Sequence, residues 1–274
     1  CLEKNYFRII RSAAVRTHDK AHILKHLSKD VKFYDVTDEL ICLGVFGPKS
    51  REMLQKISKE NLSNKNFKFG TSKNLQLGSI IVWAQRLSYV GELGYELYVK
   101  KNKGRELYKL LVDVGKDFNL SHCGAHTMDT MRMESGFLHW GHDISPEENQ
   151  YQAGLNFTIS YKKPFNFIGK EKLLIIKEQK LNKRFAMFVL KEAKLGSPLL
   201  LHEEPIYLNN DIVGKTTSGN YSFNYNKNLS FGYINSDISI EMLLSNNLYI
   251  EIEKKKYSAD YLQKPLKQRN YKII

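Results

Sequence analysis

From Ile81 to Tyr89 the chain alternates, with Ile81, Trp83, Gln85, Leu87 and Tyr89 on one parity and Val82, Ala84, Arg86 and Ser88 on the other. Tyr95, Leu97 and Val99 against Glu96 and Tyr98 repeat the period after a short gap. Two β-rich runs with a two-residue period predict paired strands, and Gly91 and Gly94 between them accept the positive φ of a tight turn. A loop centred on Glu92 and Leu93 would place Tyr89 directly opposite Glu96 on one face of the sheet. Downstream, Leu107, Leu110, Leu111, Val114 and Phe118 recur at helical spacing and predict an amphipathic helix packed on that sheet. A further helix is predicted from Ala125 to about Phe137. It would carry Met128, Met131 and Phe137 in the core, and Arg132 and Glu134 as charges that need partners if buried.

Elsewhere the same logic predicts strands at Tyr6–Ile10, Val31–Tyr34 and Leu40–Val45, the last running into the breaker Gly47-Pro48. Helices are predicted over 18–28 and Ser50–Ile57, with a polar loop from Asn61 to Gln76. A helix from Asn166 to Lys180 leads into a lysine-rich link ending at Arg184. From Phe185 the pattern changes to short strands, at Phe185–Leu190, Pro205–Leu208, Ile212–Lys215, Leu229–Ile234 and Leu248–Glu253. Asn209-Asn210-Asp211 suits a hairpin turn, and Thr216-Thr217-Ser218-Gly219 is expected at a turn facing the main body.

Size and charge narrow the classes. A chain of 274 residues with 42% hydrophobic positions can bury a sizeable core as one large or two small domains. No apolar run reaches the roughly 18 residues of a spanning helix. The net charge of +13 is spread over every segment, without the dense Arg/Lys stripe interleaved with aromatics that marks a nucleic-acid surface. Cys1, Cys42 and Cys123 form neither a disulfide framework nor a metal cluster and suit a reducing compartment: the cytoplasm, or the mitochondrial matrix in a eukaryote. The chain starts on Cys without a signal-like segment, which implies that its natural amino terminus lies elsewhere. His18, His22 and His26 share one stripe, but Asp19, Lys20, Lys25 and Lys29 surround them, so a solvated helix face is expected rather than a metal site.

The candidate chemistry lies in the alternating pair. A carboxylate is a two-pronged acceptor that matches an adjacent N–H and NH₂, such as the aminopyrimidine edge of a pterin, while a tyrosine ring can cover the heterocycle. Taken alone, Tyr89 as half-buried packing and Glu96 as a solvated strand residue is the simpler expectation, since such pairs are common in sheets. His139 and His142 could move protons, but loop hydrogen bonding and packing under Trp140 is the simpler expectation.

The motif Tyr89-x-Gly91-Glu92-x-Gly94-Tyr95-Glu96 resembles the folate signature of the aminomethyltransferase (glycine-cleavage T-protein) family. The blocks Met131–Asp143, Gln152–Leu155 and Thr216–Gly219 follow in the family's order. The likeness covers nearly the whole chain, and is nearest to the branch fused to flavin-dependent dehydrogenases of N-methylated amino acids. It implies an α+β aminomethyltransferase fold with a partial folate domain over 1–165, a helix and linker over 166–184, and an antiparallel C-terminal β-barrel over 185–274. Tyr89, Glu96, Leu97, Tyr98 and Phe157 would then contact tetrahydrofolate, with no catalytic residue assigned here. The small N-methylated substrate and FAD would belong to a domain outside this sequence, and no Gly-x-Gly-x-x-Gly fingerprint for FAD is found in the chain. The family's catalytic carboxylate would precede residue 1, so the isolated chain is expected to bind folate weakly and not to turn over. A polyglutamate tail on the folate would suit the basic surface. Met128 stands where the stand-alone transferases carry an arginine, which favours the dehydrogenase branch.

Overall fold

The structure, a computed structural model, describes residues 1–192, 194–268 and 270–273. Its architecture is α+β, in two lobes. The first holds helix α1 (Arg16–His26), strand β1 (Leu40–Phe46), α2 (Ser50–Ile57), β2 (Ser72–Leu77), β3 (Ile80–Gln85), β4 (Gly94–Lys100), α3 (Gly104–Gly115) and α4 (Ala125–Glu134). The second follows α5 (Lys170–Glu178) and comprises β5 (Lys183–Leu190), β6 (Pro205–Leu208), β7 (Asp211–Ser222), β8 (Lys227–Asn235), α6 (Ile240–Ser245), β9 (Leu248–Ile252) and β10 (Lys255–Leu262). Among the described residues no helix is long and apolar enough to cross a membrane.

The four strands of the first lobe form an antiparallel sheet in the order β1-β4-β3-β2. Its inner face carries Leu75, Leu77, Val82, Ala84, Tyr95, Leu97 and Val99, packed against Met53 and Leu54 of α2 and Leu107 and Leu111 of α3. Each large side chain so buried contributes about 1.5–3 kcal/mol. The six strands of the second lobe close a barrel in the order β10-β5-β8-β7-β6-β9 around Phe188, Ile206, Leu208 and Ile250. Met133 of α4 packs with Val189, Leu229 and Phe231 of the barrel and joins the lobes.

Several predicted elements change. Tyr6–Ile10 and Val31–Tyr34 form no strand, and Tyr6, Phe7, Ile9, Val31 and Tyr34 stay exposed, so neither run buries the face that its pattern requires. The N-terminal segment is tied instead by Arg16 to Asp35 (2.9 Å) and Asp38 (2.8 Å). The polar stretch before Leu77 ends in β2, which needs only Leu75 and Leu77 to bury its inner face. Thr216–Gly219 lies within β7, at a bulge between Thr216 and Ser218 that turns Thr217 and Ser218 toward the first lobe. Strand β10 escapes prediction because lysines occupy its start and its alternation is weak. Met128 is 44% exposed rather than in the core.

The largest change concerns the central hairpin. Gln85, not Tyr89, stands opposite Glu96, so the register sits four residues from the expected one and residues 86–93 form a long loop. Arg86 turns inward, fully buried, and donates to the Phe67 carbonyl at 2.6 Å, while Val90 and Leu93 are buried as well. Those contacts outweigh continued pairing. Gly91 does take a positive φ of 69°, but Gly94 is ordinary strand backbone.

Candidate functional site

Alternation leaves β4 with one face in the core and the other open. Glu96 and Tyr98 share the open face with Trp83 and Gln85 of β3, because Trp83 pairs with Tyr98 and Gln85 with Glu96. On the other side Cys42 pairs with Tyr98 and Gly44 with Glu96. Two residues without side chains make room for an aromatic: Cβ atoms at Gly44 and Gly94 would lie 2.5 Å and 2.1 Å from the Phe46 ring. The ring therefore rests on the backbone beside Glu96. The result is a carboxylate with Phe46 on one side and Tyr98 and Trp83, tilted rings 5.1 Å apart, on the other. Arg8 stacks 4.6 Å from the Trp83 ring, so the segment before α1 reaches the same face.

The Tyr98 hydroxyl donates to Glu96 Oε2 at 2.5 Å, which fixes the carboxylate. Among the described residues no bond reaches Oε1, so the group retains lone pairs for a donor edge presented from above. Burial, then the Glu96 bond, holds the Tyr98 hydroxyl well above the ordinary phenol range, so it remains a donor. Cys42 is partly accessible, yet burial and the Glu96 charge push its thiol up to about 11. At neutral pH Cys42 should accordingly react with iodoacetamide about tenfold more slowly than an unperturbed thiol, since the scarcer thiolate is partly offset by its greater nucleophilicity. The rate should keep climbing above pH 9 and rise on Glu96→Gln. A plateau below pH 9 would contradict this placement.

The predicted site residues are thus only partly assembled. Glu96 and Tyr98 are together. Leu97 points into the core on the opposite face, so its side chain supports the site from beneath instead of touching a ligand there. Tyr89 is not paired with Glu96; it lies in the loop, its ring 6.1 Å from and nearly parallel to Phe137, its hydroxyl donating to the Leu138 carbonyl at 3.1 Å. Burial raises its pKa. Phe157 is 74% exposed on a 3-10 turn (Asn156–Thr158). Sequence reasoning missed Phe46 and Cys42, although β1 alternates with them on one parity, Gly44 between.

Elsewhere in the first lobe a buried polar hub fixes α4 and the loop after it. Arg132 pairs with Asp143 and with Asp129 (2.8 Å), and donates to Ser218 Oγ of β7 (2.8 Å). Asp143 also accepts from Thr217 Oγ1 (2.5 Å) and the His139 amide (2.9 Å). The Met131–Asp143 block is therefore an interlobe clasp. Trp140 is 43% exposed, and among the described residues no ring contact joins it to His139 or His142. His139 and His142 rings lie 4.5 Å apart, and burial, His142 and Arg132 lower the His139 pKa.

Residues 1–163 match the GCVT N-terminal domain and residues 183–267 the glycine cleavage T-protein C-terminal barrel domain. Human mitochondrial dimethylglycine dehydrogenase is 35% identical over 263 residues, 95% of this chain and 30% of that protein. An aminomethyltransferase of Halothermothrix orenii is 31% identical over 237 residues, 86% of this chain and 64% of that one. The chain thus spans about a third of the dehydrogenase it matches. The crystal structure of the glycine cleavage system aminomethyltransferase T from Bartonella henselae superposes with a TM-score of 0.70, covering 84% of this chain and 60% of that one, at 18% identity.

Proposed function

Because the chain belongs to the glycine cleavage T-protein family, we propose that it is the tetrahydrofolate-binding region of a flavin-dependent dimethylglycine or sarcosine dehydrogenase. It would receive the one-carbon unit released by oxidative N-demethylation and hold the folate while 5,10-methylenetetrahydrofolate forms. The observation that carries this is the Glu96–Tyr98 pair on the open sheet face, a fixed carboxylate framed by aromatic rings. Such a carboxylate binds the aminopyrimidine edge in two-pronged fashion, and the rings cover its faces. Catalysis there is mainly positioning, with N5 turned toward the arriving carbon. Tyr89 and Phe157 would complete the walls, and the charge of +13 favours a polyglutamylated folate. FAD would supply the oxidation from a segment outside this sequence.

The same face would serve a stand-alone aminomethyltransferase. Met128, uncharged and exposed on α4, favours the dehydrogenase branch.

Glu96→Gln keeps the shape and removes the charge. A charge-assisted hydrogen bond contributes about 1.5–3 kcal/mol, so tetrahydrofolate affinity should fall roughly 10- to 150-fold, read by quenching of Trp83 fluorescence. Unchanged affinity, or no tetrahydrofolate-dependent quenching in the unaltered chain, would reject the proposal.

A further inference from the structure

The loop of residues 86–93 borders the open face, since it joins Gln85 to Gly94 and brings the Leu87 carbonyl within 3.1 Å of where a Gly94 Cβ would sit. Its two ends are held by the first lobe: Arg86 by Phe67, Leu93 through its carbonyl by Gly47 N (2.8 Å) and Ser50 Oγ (3.1 Å). Its middle is held by something else. After β10 the chain leaves the barrel and returns to the first lobe, where Lys267 donates its amide to the Glu134 carbonyl at 2.8 Å and pairs through Nζ with Glu92 of the loop. Tyr271, 3% exposed, then sits with its ring 5.5 Å from Phe69 and 6.3 Å from Phe137, the ring that stacks on Tyr89. Lys272 lies over the outer ring, 5.4 Å from Phe69.

The end of α4 is shaped to receive this segment. Phe137 N bonds the Arg132 carbonyl (2.9 Å) and Gly136 N the Met133 carbonyl (3.0 Å), with Gly136 at φ 70°, a left-handed helix stop that turns Phe137 toward Tyr89 and Tyr271. A Cβ on Gly136 would meet Pro265 at 2.5 Å, so the stop and the returning chain are in direct contact. Rings in offset or edge contact add about 0.5–1.5 kcal/mol per pair beyond area, and a row of them, Phe69, Tyr271, Phe137 and Tyr89, ends on the loop.

We infer that residues 265–268 and 270–273 act as a strap that sets the position of the rim loop, with Tyr271 and Lys267 as positioning residues for the ligand face. The inference about the ligand rests on the folate proposal above; the inference about the loop does not. Loop stability is local, few of its amides are in a ladder, and its middle is tied mainly through Lys267 of the strap and through Ser135, Phe137 and Leu138 just after α4.

The test is amide hydrogen exchange of the full 274-residue chain together with tetrahydrofolate titration. Tyr271→Ala should speed exchange of residues 87–92 about tenfold and weaken tetrahydrofolate by a similar factor, with β5–β9 unchanged. Tyr271→Phe, which keeps the ring, should restore both. Lys267→Met removes only the tie to Glu92 and should loosen the same amides if Tyr271→Ala fails to fold. Unchanged loop exchange, or equal loosening of loop and barrel, would overturn the strap. Loop loosening as expected, in a chain that shows no tetrahydrofolate binding before substitution, would uphold the strap and reject the folate proposal.

Discussion

Arg132→Met is expected to lower stability by about 3–5 kcal/mol, because it leaves the Asp143 carboxylate buried without its cationic partner. Asp143 is fully buried and, among the described residues, its carboxylate keeps Thr217 and the His139 amide, neither of which neutralises it. Arg132 also donates to Ser218 of β7, so one side chain spans α4, the 137–143 loop and the barrel. At about 2–4 °C per kcal/mol for a chain of this size, calorimetry should read a fall well beyond experimental error. The sheet lobe and barrel should also begin to unfold separately. Combining Arg132→Met with Asp143→Asn should cost less than the sum of the two, since the second change removes the stranded charge. A loss below about 0.5 kcal/mol for Arg132→Met, the range of an ordinary surface change, would mean that the ion pair is not the clasp between the lobes.

The second large effect is expected at Gly91→Ala. Two costs add there. Gly91 is at φ 69°, where an L side chain is disfavoured by about 1–2 kcal/mol. The new methyl would also lie 1.9 Å from Ser135 Oγ and 3.0 Å from Ser135 Cβ, and Ser135 is itself fully buried, so overpacking adds about 1–3 kcal/mol. The stability loss should therefore reach roughly 2–5 kcal/mol by denaturant titration. Ser135→Gly in the same chain should recover the steric part and leave the backbone part. No recovery would place the cost entirely in the backbone and show that the loop is not wedged against Ser135 at the end of α4.

Much of the architecture could be read along the chain, because hydrophobic period is local. The spacing of Leu107, Leu110, Leu111 and Val114 fixes which side of α3 meets the sheet, and Asn209 takes the positive φ of 55° that its hairpin turn needs. Parity also placed Trp83 and Gln85 on one face with Glu96 and Tyr98, since a two-residue period determines the face of every strand residue. Register was another matter. Parity is blind to a slip of four, and what fixed it was Arg86 finding the Phe67 carbonyl, Gly91 meeting Ser135, and Phe46 settling on two glycines. Each of these joins residues remote in sequence, and Lys267 reaches Glu92 across 175 positions. The chain by itself therefore determined most of its helices, the inner faces of its regularly alternating strands and its family likeness. Only the tertiary structure decided that the aromatic neighbours of Glu96 are Tyr98, Trp83 and Phe46 instead of Tyr89, because side-chain contacts between distant segments set where a strand stops.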